Sequence, residues 1–381
     1  MLIRHLSKDY TNYIISRCVI KEDMLEYRCI FKTTTLGVLI MKKTLSLILV
    51  FVMLLSFTAC SGTKTPEKAE TPTAPVTNYP VTLTDQAGRE VTIEAEPQRL
   101  VSGYYISSSL LIALDLDEKM VGIEAKAGKR AIYSLAAPAL IELPNVGTAK
   151  EFDLEGCVAL EPDLVILPLK LKNTAETLEN LGIDVLYVNP ENQELLTEMI
   201  HLIATATNTE EKAQELLNFT TTQENYLSTT LAGAASPRVY LAGNSSMLNT
   251  AGNAMYQADM IRLAGGTNVA NEITDTYWVE IDYEQLLAWN PEYIILASDA
   301  TYTVEDVLSD PNLSNCTAVQ NGNVYQLPNK AEAWDSPVPS GILGALWLAN
   351  ILHSDLVSDS DCAALIDEYY KTFYDFTYSQ N

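Results

Sequence analysis

The side chains best suited to chemistry in this chain are aromatics, hydroxyls and amides gathered at the ends of short apolar runs. Tyr104, Tyr105 and Ser107 follow RLVSG; Thr148 and Lys150 sit in the glycine turn GTAKE; Asn244, Ser245 and Met247 follow RVYLAG. Tyr277 and Trp278 precede EIDYEQLL, Tyr302 comes after YIILA, and Trp334 opens WDSP. Such groups stack on and hydrogen-bond to a bound solute, and open α/β sheets place their ligand crevices at strand ends. These residues are therefore expected to line a binding cleft, Trp334 included. For each aromatic, packing within its own lobe is the alternative. Trp347 lies in the apolar run GILGALWLANIL and reads as core.

Catalytic constellations are missing from the sequence. The 3 histidines, His5, His201 and His353, stand far apart, which argues against a His-based metal cage. No GxSxG or SxxK nucleophile motif, Walker loop or GxGxxG turn occurs. The 6 cysteines, Cys18, Cys29, Cys60, Cys157, Cys316 and Cys362, form no CxxC pair, so no disulfide framework is expected. The expectation is a binding protein with no catalytic residues, resident metal or cofactor, and not an enzyme. A formal net charge of −25 would repel a phosphate backbone, so nucleic acid is not an expected partner.

Positioning strand-end residues requires alternating strands and helices. VTLTDQAGREVTI reads as a hairpin, and the apolar runs RLVSG, MVGIEA, DLVILPL and IDVLYVN then alternate with helical stretches. A polar helical stretch, TEEKAQELLNFTTTQENYLSTTLA, precedes RVYLAG, where the rhythm restarts. The expected fold is α/β: two Rossmann-like lobes, residues 80–206 and 234–381, joined by one long helix over 207–233, with the cleft between them. An internal repeat supports this reading. EFDLEGCVALEPDLVIL, starting at Glu151, aligns without gaps on EIDYEQLLAWNPEYIIL, starting at Glu280, with 7 of 17 positions identical. Each copy reads as an aspartate N-cap, a short helix, a proline stop and a buried strand.

The N-terminus supplies an address. MKKTLSLILVFVMLLSFTAC, from Met41, has the charged start, apolar run and small-residue end of a secretory signal. Residues 41–59 are read as that signal, and residues 1–40 as a leader from a misassigned start site. The tail FTAC resembles the bacterial lipobox, with Phe57 where leucine is usual, which implies acylation of Cys60; ordinary cleavage near Ala59 is the alternative. Residues 60–79 are polar and proline-punctuated, the composition of a flexible tether. The expected location is extracytoplasmic, lipid-anchored to the cell membrane.

From about Thr84 to Leu356 the chain resembles the periplasmic-binding-protein family that serves ATP-driven importers of ferric siderophores, haem and cobalamin. The resemblance rests on TDQAGREVTIEAEPQRLVSG, NVGTAKEFDLEGCVALEPDLVIL, IRLAGGTNVA, EIDYEQLLAWNPEYIIL and NGNVYQLP, in that order. It implies a monomer with an interlobe ligand, modest closure, and an ABC permease with its ATPase as partners. It also implies that Glu155 and Glu284, at matching places in the repeat, dock onto permease arginines. The bound ligand would be an iron chelate, haem or a corrinoid, which the sequence does not separate. An anionic chelate calls for cations, and Lys126, Lys129, Arg130 and Lys150 are the candidates, although Lys126 to Arg130 reads more readily as a solvated loop. An exported α/β hydrolase, a metalloprotein, or a sensory or scaffold lipoprotein are the competing readings.

Overall fold

The computed structural model describes residues 78–274 and 276–380. The leader, the signal segment, Cys60 and nearly all of the expected tether lie outside the described residues.

The described residues open with an antiparallel hairpin, β1 (Val81–Thr84) and β2 (Glu90–Ile93), in the register Val81 to Ile93. Four strands follow in the first lobe: β3 (Leu100–Ser102), β4 (Met120–Ile123), β5 (Leu164–Pro168) and β6 (Asp184–Val188). They form a parallel sheet in the order β4-β3-β5-β6. The second lobe contributes β7 (Arg238–Ala242), β8 (Asn249–Ala251), β9 (Thr267–Asn268), β10 (Trp278–Glu280), β11 (Tyr293–Leu296) and β12 (Val324–Gln326). Its parallel sheet, read from the β9 edge, runs β9-β7-β11-β12, the same order as the first lobe, and β8 pairs with β10 separately.

Between the lobes runs a 21-residue helix, Glu210–Thr230. At 1.5 Å per residue it spans roughly 30 Å. Ala213, Leu216, Leu217, Thr220, Gln223 and Leu227 are buried along it at helical spacing. Glu210 and Glu211 occupy its first turn, where the positive end of the helix dipole favours acids. Among the described residues, no helix is long and apolar enough to cross a membrane.

The repeat folds twice into one device. Asp153 caps Leu154–Ala159 by accepting from Gly156 N at 2.9 Å, and Asp282 caps Tyr283–Trp289 by accepting from Gln285 N at 2.8 Å. Each turn leaves its helix through a left-handed residue, Glu161 at φ 48° and Asn290 at φ 44°, before the shared proline. An arginine beginning the neighbouring strand then pins the turn. Arg99 Nε donates to Glu161 O at 2.8 Å, and Arg238 Nη2 donates to Asn290 O at 2.7 Å. In return, Asp163 accepts from Arg99 N and Glu292 from Arg238 N, both at 2.9 Å.

Both sheets are buried on two faces, as parallel sheets are. Leu164 and Ile166 of β5 join the same apolar cluster as Val239, Leu241 and Ile295 of the second lobe. Val165 and Leu167 face an outer cluster of the first lobe, and Tyr240 and Ile294 an outer cluster of the second. The two inner faces therefore belong to one continuous core, and residues 75–381 form a single compact unit. The last long helix, Asp359–Tyr374, straps this core: Tyr369 packs edge-on against Phe219 of the connecting helix, with ring centroids 5.2 Å apart.

Candidate functional site

The strand ends of the first lobe build a buried polar cluster. At Gly103, which follows β3, an added Cβ would lie 2.6 Å from the Leu167 Cδ2 methyl, so a larger residue would have to push that side chain aside. The chain then turns into the helix Tyr105–Ala113, whose N-terminal hydroxyls fold inward. Ser102 and Ser107 share a hydrogen bond of 2.8 Å, and Ser108 Oγ donates to Glu124 Oε2 at 2.6 Å. Glu124, just past β4, accepts the Tyr133 hydroxyl on Oε1 at 2.7 Å and lies 3.4 Å from Arg130 Nε. Burial lifts the Glu124 carboxyl above its ordinary range, against the lowering influence of Ser108, Tyr133 and Arg130. The Arg130 guanidinium lies 3.9 Å above the centre of the Tyr105 ring, a cation–π contact.

The opposing wall comes from the second lobe. Glu332 is buried, with one oxygen accepting the Ser109 hydroxyl of the first lobe and the other the Ser340 hydroxyl of the second. Ser109 also meets the Tyr374 hydroxyl of the strap helix at 3.0 Å. A backbone bond crosses at the same level, with Ile132 N donating to Ala331 O at 3.1 Å. At the end of β11, Asn329 Nδ2 donates to Ser298 O at 3.1 Å and to Asp299 Oδ1 at 3.3 Å, and Asp335 accepts from Ser298 N at 3.3 Å.

These walls line a half-open cavity of about 140 Å³, with Tyr105, Lys129, Arg130, Tyr133, Asp299, Asn329 and Glu332 among its lining residues. Larger, shallower grooves lie elsewhere, one of about 580 Å³ along the connecting helix and one of about 490 Å³ beside Tyr283–Trp289. The smaller cavity is the candidate site, because strand ends of both lobes meet there and buried polar groups converge on it.

Of the expected cleft residues, Tyr105 lines this cavity, with Tyr104 packed edge-on against it at 5.2 Å. Asn244, Trp278 and Tyr302 gather instead around Gly243 at the end of β7. There the Tyr302 hydroxyl donates to Gly243 O at 2.7 Å, Asn244 O accepts from Thr301 N at 2.9 Å, and the Trp278 ring passes 3.0 Å from where a Gly243 Cβ would be. Trp278 and Tyr277 remain 37% and 48% exposed, and Ser245 is exposed beside Asn244. Met247 packs against the outer core of the second lobe and its carbonyl accepts the Tyr240 hydroxyl. Thr148 caps its own turn by accepting from Lys150 N and Glu151 N, while the Lys150 side chain is exposed.

Two expectations need correction. Trp334 is 1% exposed, donates from Nε1 to the Tyr370 hydroxyl at 2.9 Å and lies 5.4 Å from the Tyr378 ring; it is a core residue under the strap helix. Ser107 is fully buried and its hydroxyl is spent on Ser102 and Tyr104 O, so it supports the helix start and does not face the cavity. In the other direction, Lys129 and Arg130, read as a solvated loop, line the cavity. Glu124, Tyr133 and Glu332 were missed. The available signal for Glu124 was an acid directly ending the apolar run MVGI.

The repeat glutamates are both exposed in the first turn of their helices, Glu155 two residues after Asp153 and Glu284 two residues after Asp282.

Comparison with known proteins adds a family. The sequence profile of the periplasmic binding protein family matches residues 100–331. Over 325 aligned residues the chain is 26% identical to the molybdate-binding protein MolA of Haemophilus influenzae, covering 78% of this chain and 91% of that one. The chain is also 30% identical over 170 residues to the vitamin B12-binding protein of Salmonella typhimurium, which covers 44% of this chain and 64% of that protein. Among solved structures, molybdate-bound MolA superposes with a TM-score of 0.69 at 25% identity, covering 78% of this chain and 98% of that one. A periplasmic solute binding protein of Veillonella parvula gives 0.68 at 26% identity, covering 78% and 93%.

Proposed function

The chain belongs to the periplasmic binding protein family, the solute-binding components of ABC transporters, and on that premise we propose that it captures a compact metal-bearing solute between its lobes. It is a binding protein, as its relatives are, and not an enzyme. The observation that carries the proposal is the cavity of about 140 Å³ walled by strand ends of both lobes. Pockets for drug-sized ligands measure roughly 300–1,000 Å³. A corrinoid or haem needs the upper part of that range, whereas a small ferric chelate or a metal oxyanion sits nearer the observed volume. Among the ligands named for its relatives, molybdate is the compact one and vitamin B12 the bulky one.

Delivery to the permease uses Glu155 and Glu284, whose matched positions on two equivalent frames fix orientation on a two-fold membrane partner. Exposed ion pairs contribute about 0–1 kcal/mol each, so orientation and specificity are their role more than affinity. The protein acts as a monomer tethered at the membrane through acylated Cys60, and a Cys60→Ala variant is expected in the soluble fraction.

The test of the ligand reading is a thermal-shift panel of small ferric siderophores, haem, cobalamin and molybdate. A cleft ligand at 100 times its Kd stabilises by about 2.7 kcal/mol. The expected result is a shift with a compact probe and none with cobalamin or haem. A flat response to every probe sinks the metal-solute reading, and a shift with cobalamin sinks the size limit.

A further inference from the structure

The lobes are bonded to each other at both edges of the first-lobe sheet, and the two edges are built differently. On the β4 side, Ile132 N donates to Ala331 O at 3.1 Å, and Glu332, next in the chain, reaches across to the Ser109 hydroxyl. On the β6 side, Tyr256 N donates to Glu191 O at 3.0 Å. Ala331 and Glu332 follow β12, Glu191 follows β6, and Tyr256 opens the helix that leads to β9. Each crossing therefore joins an edge of one sheet to an edge of the other, β4 to β12 and β6 to β9. The β6–β9 crossing is a single backbone bond from the first residue of a helix, whose N–H has no partner inside that helix. Glu191 is half-buried, so water can take over its carbonyl if this edge parts.

The β4–β12 crossing is reinforced. Glu332 lines the cavity, yet it is only 8% exposed and each carboxyl oxygen already accepts a serine hydroxyl, Ser340 from its own lobe and Ser109 from the other. Ser109 donates to Glu332, so the Tyr374 hydroxyl, 3.0 Å away, is left to donate to Ser109. The same stretch is tied to the strap: Lys330 Nζ donates to Tyr378 O at 2.7 Å, and Trp334 Nε1 to the Tyr370 hydroxyl. Parting the lobes here would strip a buried carboxyl of one of its two bonds, which is costly. We propose that Glu332 is a positioning residue and not a solute ligand: with Ser109, Ser340 and Tyr374 it latches the β4–β12 edge, so that the lobes part at the β6–β9 edge to admit solute. The entry route rests on the reading of this cavity as the solute site. The latch does not, and its test needs no solute.

The experiment is hydrogen–deuterium exchange of the full chain, resolved to single amides, with a reporter at each edge. In the unaltered protein the Ile132 amide is expected to exchange roughly 10-fold or more slowly than the Tyr256 amide, since local opening sets the rate. Ser109→Ala removes one hydroxyl from the latch. It should speed Ile132 roughly 10- to 100-fold, the weight of a buried hydrogen bond, while amides of the β5–β6 and β7–β11 ladders change less than about 3-fold. Tyr374→Phe should speed Ile132 less, and on top of Ser109→Ala it should add under about 3-fold, because its acceptor hydroxyl is already gone. Should Ser109→Ala fail to fold, Ser340→Ala frees Glu332 from the other side and reads the same local acceleration. Equal acceleration at Ile132 and in both ladders would mean that these groups support the fold as a whole, and overturns the latch. So does an Ile132 amide indifferent to both serine variants. A Tyr256 amide as slow as Ile132 in the unaltered protein overturns the entry edge and leaves solute binding itself standing.

Discussion

The two lobes share a frame and differ at its working end. Strand order, aspartate cap, left-handed exit, proline and pinning arginine recur in both, and each lobe presents an exposed glutamate at the same step of its helix. At the cleft the likeness ends. The first lobe contributes an acid–base cluster of Ser108, Glu124, Arg130 and Tyr133, and the second contributes Asp299, Asn329 and Glu332. On the proposed docking role, the matched parts are those that would meet a two-fold partner, whose symmetry rewards equal spacing. Parts that meet an asymmetric solute have no such constraint.

Four measurements would break or sharpen that contrast. The largest effect is expected outside both frames, at Trp334, because it anchors the strap helix through Tyr370. Trp334→Ala should cost about 3–5 kcal/mol by urea unfolding, and a loss under 1 kcal/mol would return Trp334 to the cleft. Next comes Glu332, whose carboxyl burial lifts above its ordinary value of 4.5, against the lowering pull of Ser109, Ser340 and Arg130. The folded chain then holds this proton more tightly than the unfolded chain does. Its contribution to stability is fully present below about 4.5 and is lost as pH rises through the folded value. Glu332→Gln should flatten that decline in unfolding curves taken from pH 4 to 8, and an unchanged slope would show that other groups set it.

Smaller, and aimed at the shared frame, are Arg99→Ala and Arg238→Ala. Arg99→Ala removes two charge-assisted bonds, to Glu161 O and Leu160 O, and Arg238→Ala removes one to Asn290 O and an exposed ion pair with Glu292, so each should cost about 1–2 kcal/mol, and a difference above ~1 kcal/mol would mean the two turns are not equivalent. Smallest in stability are Glu155→Ala and Glu284→Ala, expected within about 0.5 kcal/mol of the parent and neutral for solute affinity. Uptake into cells should fall with either change and further with both; full uptake by the double variant would remove the docking role.

The frame was legible in the sequence for a specific reason. Seven identities in 17 positions included the cap aspartate, the stop proline and the last two buried strand residues, which are the positions backbone geometry constrains most tightly. The two arginine pins escaped notice, although Arg99 and Arg238 each lie at a strand start, because a long-range bond leaves no local pattern. The cleft was less legible. Trp334 sits in a polar, helix-breaking stretch and looked exposed; its partners Tyr370 and Tyr378 lie about 40 residues onward on the strap helix and the turn after it, which no periodicity connects to it. Arg130 stood in a run of lysines and glycine that reads as solvated, and only the Tyr105 ring and Glu124 turn it inward.

The common inner core has a consequence for how such a molecule can change over generations. A duplicated half usually remains a module that can be lost, swapped or expressed alone. Here Val239, Leu241 and Ile295 share one apolar cluster with Leu164 and Ile166, and the connecting helix buries one face against the core. Cut within that helix, each half would expose its share of this apolar cluster to water, an aggregating surface. The matched frames are therefore parts of one cooperative unit and not two separable modules.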